Sequence, residues 1–211
     1  MEKNTQLPIV YLEIEEGDMS SGVDAISFVE SPATEISWEK FSAQKPLTFQ
    51  KDEMKRIVTG PVMLAETPIY RYSPMLGEYY VKFSEETILS MMKKYFKDNK
   101  IHRVNENHDS KRMVDGVRMI ESFIVGDRIK SELYPDLPKG TWVASFFVED
   151  EKYWNEVIMG DKFTGFSLEG MFIENYEQSL IEETYAKIEA VVNDNELSED
   201  ELLERVKNLL K

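Results

Sequence analysis

The chain contains no cysteine. That excludes disulfides, a thiol nucleophile and thiolate metal sites, and it fits a reducing cytoplasm. Only two histidines occur, His102 and His108, so any chemistry that needs an imidazole must use one of them. No stretch approaches the run of roughly 20 apolar residues that a membrane span requires. The opening MEKNTQLPIVYLEIEEG lacks a basic patch followed by a long apolar core, so no secretory signal is expected. Positive charge is also scarce: 25 Lys and Arg stand against 40 Asp and Glu, a net charge of −15. The densest basic stretch, KDEMKR at 51–56, is interrupted by two acids. Such a chain repels nucleic acid and anionic membrane, so neither is expected as a partner. No GxGxxG or Walker-type lysine motif is present to cradle a phosphate. The two histidines, six apart with Glu106 and Asp109 nearby, match neither helical nor strand ligand spacing. No cofactor and no metal are expected.

What is present is the make-up of a globular protein, with 42% hydrophobic and 31% charged residues in 211. The first 85 residues read mainly as strands. PIVYLEIEE at 8–16 alternates, Val23–Val29 is rich in β-formers, and Arg56–Leu64 continues the pattern. Ile69–Tyr72 and Tyr79–Phe83 read as a hairpin around SPMLG, while Ser31–Gln50 reads as a long connection. Ser84 is placed to cap a helix whose first turn carries Glu85 and Glu86, with Ile88, Leu89, Met92, Tyr95 and Phe96 at helical spacing. DNK at 98–100 ends it. Met113–Val125 reads as a strand introduced by an Asp115-Gly116 hairpin turn, and Thr141–Val148 as another strand. A short helix over roughly 150–159 leads into a final strand, Thr164–Ile173. Beyond it, residues 174–211 hold eleven acids and four bases. Tyr185, Ile188, Val191 and Val192 suggest one amphipathic helix. The capping box Ser198-Glu199-Asp200-Glu201 opens another, with Leu202, Leu203, Val206, Leu209 and Leu210 as its stripe. The expected organisation is a body over 1–173 and an acidic helical tail over 174–211.

Within the last strand, DKFTGFSLEGMF at 161–172 raises a specific question. Alternation puts Ser167 and Glu169 on one face and Phe166, Leu168 and Phe172 on the other. Ser167 is then either an ordinary polar residue on a half-buried strand or a nucleophile. A serine hydroxyl is a poor nucleophile until an imidazole removes its proton, and a third group usually orients that imidazole. His108, in the polar segment NENHD, is either a surface-loop histidine or that base; His102, in IHRV, is better placed to pack or cap. If Asp115-Gly116 turns a two-residue hairpin, residue 108 lies opposite about 123 and Glu121 becomes a diagonal neighbour of His108. Glu169, sharing a face with Ser167, is the other candidate acid. Asp109, adjacent to His108, would point the other way. Each acid also has a plain role on the wet side of a sheet.

Several blocks together carry a family resemblance. The stretch LPKGTWVASFFVEDEKYWNEVIMGDKFTGFSLEG at 137–170 resembles the phage serine proteases of the XkdF type, which belong with the prohead (capsid-maturation) proteases and, more remotely, the herpesvirus assemblins. DAISFVESPA at 24–33 resembles the family's opening motif, and IVTGPVMLAETPIYRYSPMLGEYYVKFSEETI at 57–88 its central hairpin region. NENHD at 105–109 and RMIESFIV at 118–125 resemble its histidine block and the strand after it. The resemblance spans roughly 24–172 in the same order and leaves the tail uncovered. It implies an α+β fold, a mostly antiparallel β-barrel flanked by helices. It implies Ser167 as nucleophile and His108 as general base, with an acid as third member because no histidine follows Ser167; Glu121 is the first choice and Glu169 the second. The implied activity is a serine endopeptidase acting on scaffold and major capsid protein segments, and on itself, inside the immature phage capsid (prohead) in the host cytoplasm. Self-association is expected. The rival expectation is a capsid-assembly or scaffold-like protein that keeps this fold without activity.

Overall fold

The computed structural model describes residues 7–31, 48–74, 77–126, 133–176, 184–185, 187–189, 191–193 and 199–209. Twelve strands are formed among these residues: β1 (Ile9–Glu13), β2 (Gly22–Val29), β3 (Gln50–Asp52), β4 (Ile57–Met63), β5 (Ile69–Ser73), β6 (Gly77–Lys82), β7 (Val104–Glu106), β8 (Asp109–Met113), β9 (Val117–Ile124), β10 (Trp142–Val148), β11 (Gly165–Met171) and β12 (Ile173–Asn175). Helix α1 is Glu85–Lys97, α2 is Glu151–Tyr153 running on into a π-helical turn at Trp154–Ile158, and α3 is Glu199–Leu209. The class is α+β with mostly antiparallel pairing. Three four-stranded sheets carry the strands, in the orders β12-β1-β6-β5, β3-β4-β10-β9 and β11-β2-β7-β8, and no closed barrel is formed among the described residues. Only β1–β6 and β2–β7 pair in parallel.

The alternating segments form strands because one face of each meets an aromatic core. Phe28 of β2 stacks on Phe166 of β11 with ring centroids 5.6 Å apart, and Phe166 meets Phe146 of β10 at 4.9 Å and Phe49 at 4.4 Å. Offset and edge-on arrangements of this kind add to the gain from burial alone. Gly60 of β4 lets the sheets approach, since a Cβ there would stand 3.2 Å from the rings of Phe166 and Phe49. Helix α1 starts as expected: the Ser84 hydroxyl accepts the Thr87 N–H at 3.1 Å, and Glu85 and Glu86 sit at the positive end of the helix dipole. Its buried face differs from the expected stripe. Ile88, Met91 and Tyr95 face inward, Tyr95 edge-on to Trp142, whereas Leu89 and Phe96 are exposed.

Two connections differ from expectation. Asp115-Gly116 does not turn a hairpin between neighbours; β8 pairs with β7, and β9 pairs with β10 in another sheet. The tight hairpin is instead β7–β8, where Asn107 and His108 both have positive φ (50° and 60°) and Glu106 stands opposite Asp109. That is the geometry of a two-residue turn of the type whose twist matches the flanking strands. The final segment also breaks, at Phe172: β11 ends at Met171 and β12 crosses to pair with β1, so the strand body runs through Asn175. In the tail, residues 184–185, 187–189 and 191–192 are helical, as are those of α3. Ser198 and Leu210, and most of the 31–50 connection, lie outside the described residues. No helix among the described residues is long and apolar enough to cross a membrane.

Candidate functional site

The site is assembled on three adjacent strands. In β11 and β2, Phe166 pairs with Phe28 on the core face, and the next pair along, Ser167 with Ser27, faces the other way. Ser27 in turn stands beside Asn105 of the parallel strand β7. The result is a row, Ser167–Ser27–Asn105, running across the sheet. Residues directly opposite each other have Cβ atoms about 5 Å apart, so the polar side chains of such a row are within mutual reach.

Strand β7 holds its place through Arg103, whose guanidinium donates to the Asp24 carboxylate at 2.7 Å and to the Asp24 carbonyl at 2.8 Å. Lys100 adds a second contact to Asp24 at 3.5 Å. The Arg103 carbonyl accepts the Ile26 N–H, and the Asn107 N–H donates to the Phe28 carbonyl, so both ends of β7 are fastened to β2. The β7–β8 turn then delivers His108 over Ser27. The two contact each other, Ser27 Oγ to His108 Nδ1, at 3.1 Å.

Ser27 Oγ also donates to Asn105 Oδ1 at 2.5 Å, and Asn105 Nδ2 donates to Glu169 Oε2 at 2.5 Å. Glu169 lies two residues beyond Ser167 on β11, on the same face. The register shift between Glu169 and Gly170 and the missing side chain at Gly170 belong to this placement: a Cβ on Gly170 would stand 2.2 Å from the Gly22 carbonyl oxygen of β2.

The two serines differ in access. Ser27 is fully buried, with its hydroxyl engaged on both sides. Ser167 retains 9% exposure, and its hydroxyl makes no hydrogen bond among the described residues. Since no fully buried side-chain oxygen or nitrogen in this set lacks a partner, the Ser167 hydroxyl reaches solvent. Ser167 and His108 are not hydrogen-bonded to each other; Ser27 stands next to both.

His108 is exposed, yet the protein around it removes enough water to hold its pKa below the ordinary histidine value of 6.5. The charge of Glu169 opposes that shift, and Arg71 of β5 reinforces it. The imidazole is therefore neutral at neutral pH, the form in which it can accept a proton.

Glu121 is elsewhere. It lies on β9 opposite Ser145 of β10, and its carboxylate accepts the Ser145 hydroxyl proton at 2.6 Å; Ser145 meets Thr59 of β4 at 2.8 Å. The hairpin that would have set Glu121 beside His108 is not formed, so of the two candidate acids it is Glu169 that joins the histidine cluster. His102 stands at the opposite end of β7, beside a shallow cleft lined also by Asn99, Ile101, Val114 and Asp115. Among the described residues no group of three His, Asp or Glu side chains converges as metal ligands would. Ser27 and Asn105 were not identified as site residues from the sequence, although both lie within the segments DAISFVESPA and NENHD singled out there.

Comparison with models of known protein families, with curated proteins and with solved structures finds no match to this chain.

Proposed function

We propose that this protein is a serine endopeptidase of the capsid-maturation kind, with Ser167 as nucleophile, His108 as general base and Glu169, in place of Glu121, as the associated acid. The observation that carries the reading is a solvent-reaching Ser167 hydroxyl with no hydrogen bond among the described residues, paired across the strands with Ser27, which contacts the neutral His108 imidazole at 3.1 Å. In the reaction, Ser167 Oγ attacks the scissile carbonyl carbon while His108 takes the hydroxyl proton. His108 returns that proton to the leaving amine as the C–N bond breaks, and water then hydrolyses the acyl-enzyme. An approach of His108 to Ser167 is required when substrate binds, since catalytic hydrogen bonds are often long in the free enzyme.

The sequence resemblance supplies the biological setting. The fold is proposed as a relative of the herpesvirus-assemblin barrel, and the substrates as scaffold and major capsid protein segments and the chain itself, inside the prohead in the host cytoplasm. The acidic tail suits a docking or self-removal role there.

Co-expression with the neighbouring capsid and scaffold proteins, with and without Ser167→Ala, tests this. Masses of those partners shift to shorter products with the wild-type chain and stay full-length with the variant. Unchanged processing by Ser167→Ala rules out Ser167 as nucleophile. The separation of Ser167 from His108 favours a second reading, a capsid-assembly protein of the same fold without activity. Absence of any processing by the wild-type chain supports that one.

A further inference from the structure

The chain of contacts from Glu169 to His108 has a direction, and the direction can be read atom by atom. A carboxylate only accepts hydrogen bonds. Asn105 therefore turns its amide nitrogen toward Glu169 Oε2, which leaves its carbonyl oxygen facing Ser27. That oxygen can only accept, so the single proton of the Ser27 hydroxyl is committed to Asn105. With its proton spent, Ser27 Oγ meets His108 Nδ1 as an acceptor, and the proton on that contact belongs to the imidazole.

We infer that Glu169, Asn105 and Ser27 form a relay of positioning residues that fixes His108 as its Nδ1–H tautomer and leaves Nε2 as the basic nitrogen. In a catalytic triad a carboxylate does this by direct contact with Nδ1–H; here two neutral, buried side chains stand between. Asn105 is 1% exposed and Ser27 fully buried, so water does not compete for the link between them. Ser27 is a positioning residue and not a second nucleophile: it has no access to a substrate carbonyl and no free proton to give.

As a statement about function, this rests on His108 being the base, but its test does not depend on activity. In 15N-labelled protein carrying His102→Gln, the remaining imidazole is His108, and long-range 1H–15N correlation at mildly alkaline pH distinguishes the two tautomers. The expected spectrum has a pyrrole-type Nδ1 and a pyridine-type Nε2. Ser27→Ala is expected to shift the population toward Nε2–H and to lower kcat by about 10- to 100-fold with little change in KM. That range is what loss of orientation and tautomer control at one link supports. Ser27→Thr, which keeps the hydroxyl, is expected to restore the Nδ1–H signature. An Nε2–H tautomer in the unaltered site overturns the relay, as does an unchanged Nδ1–H spectrum in Ser27→Ala. If the relay tautomer is present but Ser167→Ala still processes capsid proteins, the assignment of Ser167 as nucleophile fails and the relay stands. If Ser167→Ala is inactive but the tautomer is Nε2–H, the relay fails and the protease reading stands.

Discussion

Two rows of linked polar side chains lie on two of the sheets in this protein, and each ends in a glutamate. In the β4–β10–β9 sheet the row is Thr59–Ser145–Glu121, held at 2.8 and 2.6 Å. In the β11–β2–β7 sheet it is Ser27–Asn105–Glu169, held at 2.5 Å at both links, with His108 at one end and Ser167 alongside. The rows are similar in that each donates a hydrogen bond to a carboxylate, from the Ser145 hydroxyl in the first and from the Asn105 amide in the second. They differ in what sits at the far end. The first row begins at a threonine with nothing to activate. The second begins at an imidazole held neutral and resting on Ser27, whose strand partner Ser167 has a hydroxyl without a hydrogen bond among the described residues. Polar side chains linked to an acid thus occur in both sheets, and it is the histidine and the neighbouring Ser167 that make one row a candidate site.

This contrast can be broken by paired substitutions. Ser167→Ala is expected to lower the rate of capsid-protein cleavage by at least about 10³-fold, the scale on which loss of a catalytic nucleophile acts. Ser145→Ala is expected to leave the rate unchanged and to lower unfolding free energy by about 0.5–1.5 kcal/mol, because it removes the hydrogen bonds to half-buried Thr59 and exposed Glu121. Cleavage assays and denaturant titrations on both variants separate the outcomes. Equal losses of activity would erase the distinction between the rows.

The rigidity beneath the second row is tested by Phe166→Ala. Phe166 is 2% exposed and packed among Phe28, Phe49 and Phe146, so its removal is expected to cost about 3–5 kcal/mol in urea unfolding.

Smaller in size but sharper in assignment is the acidic limb of kcat/KM against pH. Burial holds the His108 pKa below 6.5, so the base form predominates at that pH and above and is lost as pH falls through the folded-state pKa. The charge of Glu169 favours the imidazolium, so Glu169→Gln is expected to move the limb to lower pH. Arg71 disfavours the imidazolium, so Arg71→Met moves it to higher pH. Glu121→Gln, in the other row, is expected to leave the limb where it is. A limb that responds to Glu121 and ignores Glu169 would reverse the assignment of the acid.

Local signals in the sequence carried much of this structure. Ser84 followed by two glutamates marked the start of α1, SPMLG marked the β5–β6 turn, and the alternation in GFSLEG put Ser167 and Glu169 on a common face. The error over Glu121 came from a turn signal. Asp115-Gly116 does turn the chain, with Gly116 at φ 75°, but it turns it out of one sheet and into another. Parity counting across it therefore paired strands that never meet. The hairpin that does form uses Asn107-His108, with the candidate base itself as a turn residue.

The central row was illegible for a different reason. It depends on β7, three residues long and too short to show a period, lying parallel to a strand 78 residues away in sequence. The salt bridge from Arg103 to Asp24 holds that pairing, and no local pattern announces a contact of such range. Ser27 read as one polar residue in a β-rich run; only its register between Ser167 and Asn105 shows what it touches.

Chemical labelling gives the most direct test of the central claim. A fluorophosphonate probe phosphonylates an activated serine hydroxyl with loss of fluoride, and peptide mass mapping of the treated, folded protein locates the adduct. The expected result is a single adduct on Ser167 that disappears in His108→Gln. An adduct on Ser27, or a folded protein that takes up no probe at all, would contradict the assignment of Ser167 as the nucleophile.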